Sequence, residues 1–205
     1  MPLEAVVIGK HLPDPLHAHG AWVYLSASVA VGALAAPPDH VLPALLAGAG
    51  TTGAFMVCGS LWGHRRRVRP LLIGAAVALC GPLLALLLGA EPVFLAFAGF
   101  AALPALAAVL FARVYGSLSL PAIVGATLAI AISAPVAASA GGMPIGRSLL
   151  LLSLLAPFFA WRTVHVRTAL TARGPHRTSP KAAGLREARH AAVWCALVVL
   201  LSHVL

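Results

Sequence analysis

Runs of roughly twenty apolar residues, each closed by proline, glycine or a knot of arginines, recur along almost the whole chain. About 20 apolar residues in a helix span the ~30 Å hydrocarbon core of a bilayer. In lipid, only a structure that satisfies its own backbone can cross, which means a helix or a closed barrel. Reading runs against breakers predicts seven spanning helices. The first runs from about Pro15 to Ala35, with Asp14 as its N-cap, Pro15 at the first helical position and Pro37-Pro38 as its stop. The next four are Val41 to Trp62, Leu71 to Leu88, Val93 to Phe111 and Leu120 to Ala140. The sixth begins near Ser148 and continues through "WRTVHVRTALTAR" to a Gly174-Pro175 stop, longer than a bilayer requires. The seventh follows Ser179-Pro180 and runs to Leu205. The fold class expected is therefore all-α, a polytopic transmembrane bundle forming a single integral membrane domain over residues 1–205.

Composition closes off the alternative. Of 205 residues, 60% are hydrophobic and only 9% charged, where a soluble domain carries about a quarter charged residues. A net charge of +9 in a soluble protein would point to nucleic acid. Here the charges sit between apolar runs and report topology instead, so no nucleic-acid partner is expected. Cys58, Cys80 and Cys195 lie far apart inside apolar runs, with no Cys-x-x-Cys or Cys/His ligand spacing. They read as small packing residues. The first sixteen residues contain Glu4, Asp14 and three prolines, which is no cleavable signal peptide; the first spanning helix is expected to be its own insertion signal.

The arginines orient the bundle. "HRRRVR" (residues 64–69) follows the second run, Arg113 ends the fourth, and a basic segment over residues 162–187 joins the sixth to the seventh. With Lys10, these all fall on one side of the membrane. Arg147 is the one basic residue on the other side, alongside Asp39 and Glu91. The positive-inside rule then makes the N-terminal segment, residues 1–14, cytoplasmic.

Outside the ends of the runs the seven segments hold no Asp, Glu, Lys or Arg, which argues against a pump built on a central carboxylate. Pro82, Pro104, Pro135 and Pro157 fall mid-run and are expected to kink their helices. Gly48, Gly50 and Gly53, and the tail "AISAPVAASAGG", allow close helix approach. Polar character concentrates at the inner edge. His19, Trp22 and Ser26 share one helical stripe, and Arg162, His165 and Arg173 another, with Arg167 turned away and Arg113 beside Tyr115. Should His19, Trp22, Arg113, Arg162, His165 and Arg167 converge, they form a site for an anionic group such as a phosphate, diphosphate, carboxylate or lipid head. The plainer reading is arginines reaching anionic lipid headgroups on the cytoplasmic face, with Trp and Tyr as the interfacial belt. No metal site or cofactor is expected: a haem would need facing histidines, and His19 with His190 is the one pair available.

These elements resemble the YwiC-like family of bacterial integral membrane proteins. That family typically opens with a basic residue, an acid and then His-Gly-Ala-Trp at the start of its first helix. His19, Gly20, Ala21 and Trp22 match the tetrapeptide, "HRRRVR" the arginine-rich loop after the second helix, and Arg113 the arginine ending a mid-chain helix. Val166, Arg167 and Thr168 match a late Val-Arg-Thr element, so the resemblance covers His17 to about Ala169. One departure stands out: His17 and Ala18 occupy the positions of the family's basic residue and acid. The resemblance implies a multi-pass protein of the bacterial inner membrane and no particular chemistry.

Three functions fit these residues. The first is transport or binding of an anionic, amphipathic small molecule at the inner-edge His and Arg residues, through a cavity between kinked helices. The second is a non-catalytic accessory subunit of a membrane complex. The third is an enzyme on lipid or isoprenoid substrates. A Mg²⁺-diphosphate mechanism needs clustered oxygen ligands, and the five acids (Glu4, Asp14, Asp39, Glu91, Glu187) are scattered. That leaves only a His19-based general acid or base, so the balance leans away from an enzyme. The topology is directly testable. In a cysteine-free background, cysteines at positions Arg66 and Arg173 should both react with an impermeant maleimide from the same face, and labelling from opposite faces would overturn the helix count.

Overall fold

The computed structural model describes residues 19–62, 68–116, 119–171 and 180–204. The described residues form helices and short connections, with no strand. In chain order they are α1 (His19–Ala35), α2 (Val41–Trp62), α3 (Val68–Leu87), α4 (Phe94–Tyr115), α5 (Leu120–Ala131), α6 (Ser133–Ala140), α7 (Ile145–Thr171) and α8 (Pro180–Val204). Six spans are long and apolar enough to cross a membrane, α5 and α6 together counting as one. This marks a membrane protein. α1 is shorter, 17 residues as described, or about 25 Å at 1.5 Å per residue. The Asp14-Pro15 start, Arg65 to Arg67, Arg173 and the Gly174-Pro175 stop lie outside the described residues.

Short, chemically marked turns reverse the chain. After α1, Pro37 introduces a single 3-10 turn, Pro38–His40, in which the His40 N–H donates to the Pro37 carbonyl at 2.9 Å. α3 ends where Gly89 adopts φ +86° and the Ala90 N–H reaches back to the Ala85 carbonyl at 2.9 Å. α6 ends the same way, with Gly142 at φ +80° and the Met143 N–H on Ala138 at 3.0 Å. Both are six-to-one closures that satisfy a terminal carbonyl and need a residue without a Cβ at the left-handed position.

Packing is set by small residues. Lipid tails are as apolar as leucine, so helices associate through contact, not through escape from water. In the α2–α3 hairpin, a Cβ added at Gly53 would stand 2.6 Å from the Gly74 carbonyl oxygen, and one at Gly81 2.6 Å from the Leu46 carbonyl. Gly50 faces the Pro82 ring at the same range. The centre belongs to α6: all eight of its residues are buried, six of them alanine or serine. Ala137 packs with Ala33, Ala36 and Ala44 of the α1–α2 corner. Ile132, Val136 and Ala140 pack with Ala47, Ala85 and Phe94. The large side chains instead gather around α1, α7 and α8, where Leu25, Leu151, Leu155, Phe159 and Val198 form the main apolar cluster.

The mid-run prolines divide into two kinds. α3, α4 and α7 continue through Pro82, Pro104 and Pro157. The fifth apolar run instead breaks at Ile132, between α5 and α6. Pro135 has no N–H to give Ala131, four residues back. The Ser28 hydroxyl of α1 donates to that Ala131 carbonyl at 3.2 Å, so the orphaned acceptor is satisfied from a neighbouring helix. The three cysteines are free.

The glycine contacts should be felt in stability. Gly53→Ala is expected to lower the unfolding free energy in a detergent titration by about 1–3 kcal/mol, the range for overpacking. Gly99→Ala, where a Cβ meets nothing within 4 Å, should cost nothing or stabilise α4 slightly.

Candidate functional site

α7 and α8 form an antiparallel pair, and Arg162 and Glu187 lie about two turns from the connected end of each. That matched depth brings two residues 25 positions apart onto one level, both facing inward. Arg162 is 7% and Glu187 2% exposed. The Arg162 guanidinium grips the carboxylate with both edges: Nε donates to Oε2 at 2.8 Å and Nη2 to Oε1. Tyr24 of α1, 5% exposed, donates its hydroxyl to the same Oε2 at 2.9 Å. Its ring lies 4.7 Å from that of Phe159. An ion pair removed from water is tolerable only with close geometry and its remaining valences filled, and here the carboxylate receives three donors.

Arg162 has one further partner. Its Nη2 stands 3.1 Å from Nδ1 of the exposed His190. An arginine has donors and no acceptor, so Nδ1 must accept. A neutral His190 therefore carries its proton on Nε2, leaving that N–H free to donate away from the pair. The guanidinium carbon also sits 5.2 Å from the centroid of the Trp161 ring, a cation–π contact.

Two grooves open beside this network. One, about 450 Å³, is lined by Leu185, Arg186, Arg189 and His190 of α8. The other, about 580 Å³, is lined by Ser153, Leu154, Pro157, Phe158 and Trp161 of α7 with Trp194 of α8. The Phe158 and Trp194 rings stack at 5.0 Å, and Trp194 Nε1 donates to the Leu154 carbonyl at 3.2 Å. Both residues are thereby fixed in place.

Of the six residues expected to form a site, the structure draws Arg162 into a buried network and leaves others elsewhere. Trp22 packs edge-on against Phe55 of α2, their centroids 5.1 Å apart. Arg113, at the end of α4, donates through Nη2 (2.7 Å) and Nε (3.3 Å) to the Leu61 carbonyl of α2, completing a helix C-terminus. His165, one turn on from the buried Arg162, is exposed, and Arg167 is half-buried. His19 begins α1, with its side chain outside the described residues. The segment 162–187, expected as a basic loop, is helical at both ends, with α7 reaching Thr171 and α8 starting at Pro180. Consequently an arginine and a glutamate do lie within apolar spans, against the expectation of none. They can do so because they neutralise one another.

Sequence reasoning missed Glu187 and Tyr24 and considered His190 only as a haem ligand. Glu187 carried a signal: it is the one acid in the basic stretch from Arg162 to Arg189. Among the described residues, no three His, Cys, Asp or Glu side chains gather to hold a metal ion.

The fold and this network together define an all-helical membrane bundle with a buried ionic latch near one end. No family model, curated protein or solved structure matches the chain.

The latch has a distinctive energetic signature. Arg162→Met alone should cost about 3–5 kcal/mol of detergent-unfolding free energy, because it strands a buried carboxylate. Arg162→Met with Glu187→Leu should recover much of that loss, giving a coupling energy well above the 0.2–1 kcal/mol of an exposed pair. Tyr24→Phe should cost about 1 kcal/mol.

Proposed function

We propose that this protein is an integral membrane binder of amphipathic anions, recognising the anionic group on the outer flank of α8. One observation carries the reading: Arg186 and Arg189 line a groove with His190, directly beside an arginine whose own charge is already neutralised by Glu187. Both arginines are exposed, and neither has an ion pair among the described residues. The latch holds the His190 ring through Nδ1, and His190 lines the same groove as the two arginines. Such a set matches a phosphate or carboxylate, which takes several charge-assisted hydrogen bonds at once.

Binding is favoured over passage through the bundle. A central route would need polar space between helices, and the centre is filled by the wholly buried α6. The two grooves are instead lined by residues of α7 and α8 alone.

In this reading α1 is a seventh span and the N-terminus is cytoplasmic. His203 Nε2 lies 3.1 Å from the Leu34 carbonyl, which supports the far ends of α8 and α1 sharing a level. Alternation along the chain then gathers Arg69, Arg113, Arg162, Arg167, Arg186 and Arg189 at the opposite end, leaving Arg147 with Asp39 and Glu91. Positive-inside bias assigns the arginine-rich end to the cytoplasm. The bacterial inner membrane and membership of the YwiC-like family belong to the same proposal and rest on the His19 to Trp22 tetrapeptide and the order of the basic elements.

Titration calorimetry of the purified protein with dodecyl phosphate tests the reading. Wild type should bind it, and Arg186→Gln with Arg189→Gln should weaken binding by at least about tenfold, as expected for two charged contacts of roughly 1 kcal/mol each. Equal heats for wild type and double variant would overturn it.

A further inference from the structure

The cationic groove does not stand alone. His190 and Trp194 are one turn apart on the same edge of α8, about 6 Å along its axis. Trp161 of the second groove adjoins Arg162, whose guanidinium touches His190. The flank of the α7–α8 pair therefore changes character with depth. Arg186, Arg189 and His190 stand toward the connected end. By the level that Arg162 and Glu187 share, Trp161 and Phe158 stand beside these cations, while Trp194 and Ser153 lie about one to two turns deeper than His190.

From this succession we infer that the occupant is an anionic phospholipid of the surrounding bilayer, its phosphate held by Arg186, Arg189 and His190 and one acyl chain lying over Phe158, Trp161 and Trp194. The inference rests on the anion-binding reading above and adds the tail. Charge complementarity selects the headgroup, because the mouth holds two cations and a fixed imidazole and, among the described residues, no acid lines it: Glu187 is buried in the latch. The deeper groove selects a chain. Its walls are aromatic and aliphatic, with the Trp194 N–H already committed to Leu154. From Ser153 to Trp161 it extends about 12 Å along α7, a length suited to a hydrocarbon tail and wasted on a small anion. Proline at position 157 leaves the Ser153 carbonyl without its helical donor, and Ser153 itself turns its hydroxyl to the Leu150 carbonyl at 2.8 Å. That keeps the hydroxyl from presenting a free donor to the chain.

Site-specific quenching reads this directly. In a protein with Trp22, Trp62 and Trp161 changed to Phe, Trp194 is the sole indole. Reconstituted in phosphatidylcholine, its fluorescence should be quenched by phosphatidylglycerol brominated on the acyl chain at about a tenfold lower mole fraction than by equally brominated phosphatidylcholine. Arg186→Gln with Arg189→Gln should bring the two lipids level, whereas Arg69→Gln, on exposed α3 surface, should leave the preference intact. Equal quenching by both lipids in the unsubstituted mouth overturns the inference, as does loss of preference in Arg69→Gln, which would mean diffuse surface charge. Bromododecyl phosphate separates the two levels. If it quenches Trp194 in an arginine-dependent way while the phospholipids show no preference, the phospholipid falls and the anion-binding reading stands. If neither amphiphile depends on the arginines, both fall. Because the same preference can be measured in the four-tryptophan protein by native mass spectrometry of retained lipid, a poorly folded single-tryptophan variant does not shield the inference.

Discussion

A bilayer removes the force that folds most proteins: apolar side chains gain nothing by leaving lipid for one another. What remains is contact distance and the requirement that each polar group find its partner inside the chain. Both demands are visible throughout this bundle. Glycine faces backbone across the α2–α3 hairpin, and alanine and serine fill α6 at the centre. Where proline removes a donor, Ser28 supplies one from α1. Where a helix ends, Arg113 caps the Leu61 carbonyl. Large apolar side chains on α3 and α4, such as Leu72, Leu79, Leu103 and Leu110, face outward, as they do when the solvent is hydrocarbon.

The same two demands produce the ionic latch. A charge near the hydrocarbon is tolerated when it is paired and its hydrogen-bonding capacity is met. Glu187 meets this condition through Arg162 and Tyr24, binding three helices together with one carboxylate. Its second effect is on His190, which receives a fixed orientation and tautomer from the guanidinium. A structural device thus sets the geometry of a neighbouring surface. This is why the proposed anion site begins one residue away from the latch and excludes the latch itself: Arg162 is spent on Glu187, while Arg186 and Arg189 are not.

Legibility varied with the range of the interaction. Apolar runs and their breakers are local patterns, so the helices from Val41 onward were readable to within a few residues, including α8 beginning at Pro180. The break between α5 and α6 was half legible. Pro135 marked a disturbance, yet Pro82, Pro104 and Pro157 carried the same mark in helices that run on. The partner of Ala131, a serine 103 residues away, is what differs in kind. Among the candidate site residues, Arg162 was recognised for its charge, but its inward direction was not. Whether Arg162 and Glu187 stood in loop or in buried helix depended on a neutralising partner that no local pattern announces.

By itself the sequence determined that the chain is helical, that it belongs in a membrane and where its segments begin and end, because helix length, apolar periodicity and backbone satisfaction act within a few residues. Only the tertiary structure decided which polar residues meet. Tyr24, Arg162 and Glu187 are brought together by the antiparallel return of α8 along α7 and by the seating of α1 against both. Pairing across helices depends on relative depth and rotation, and those are set by close packing between surfaces remote in sequence.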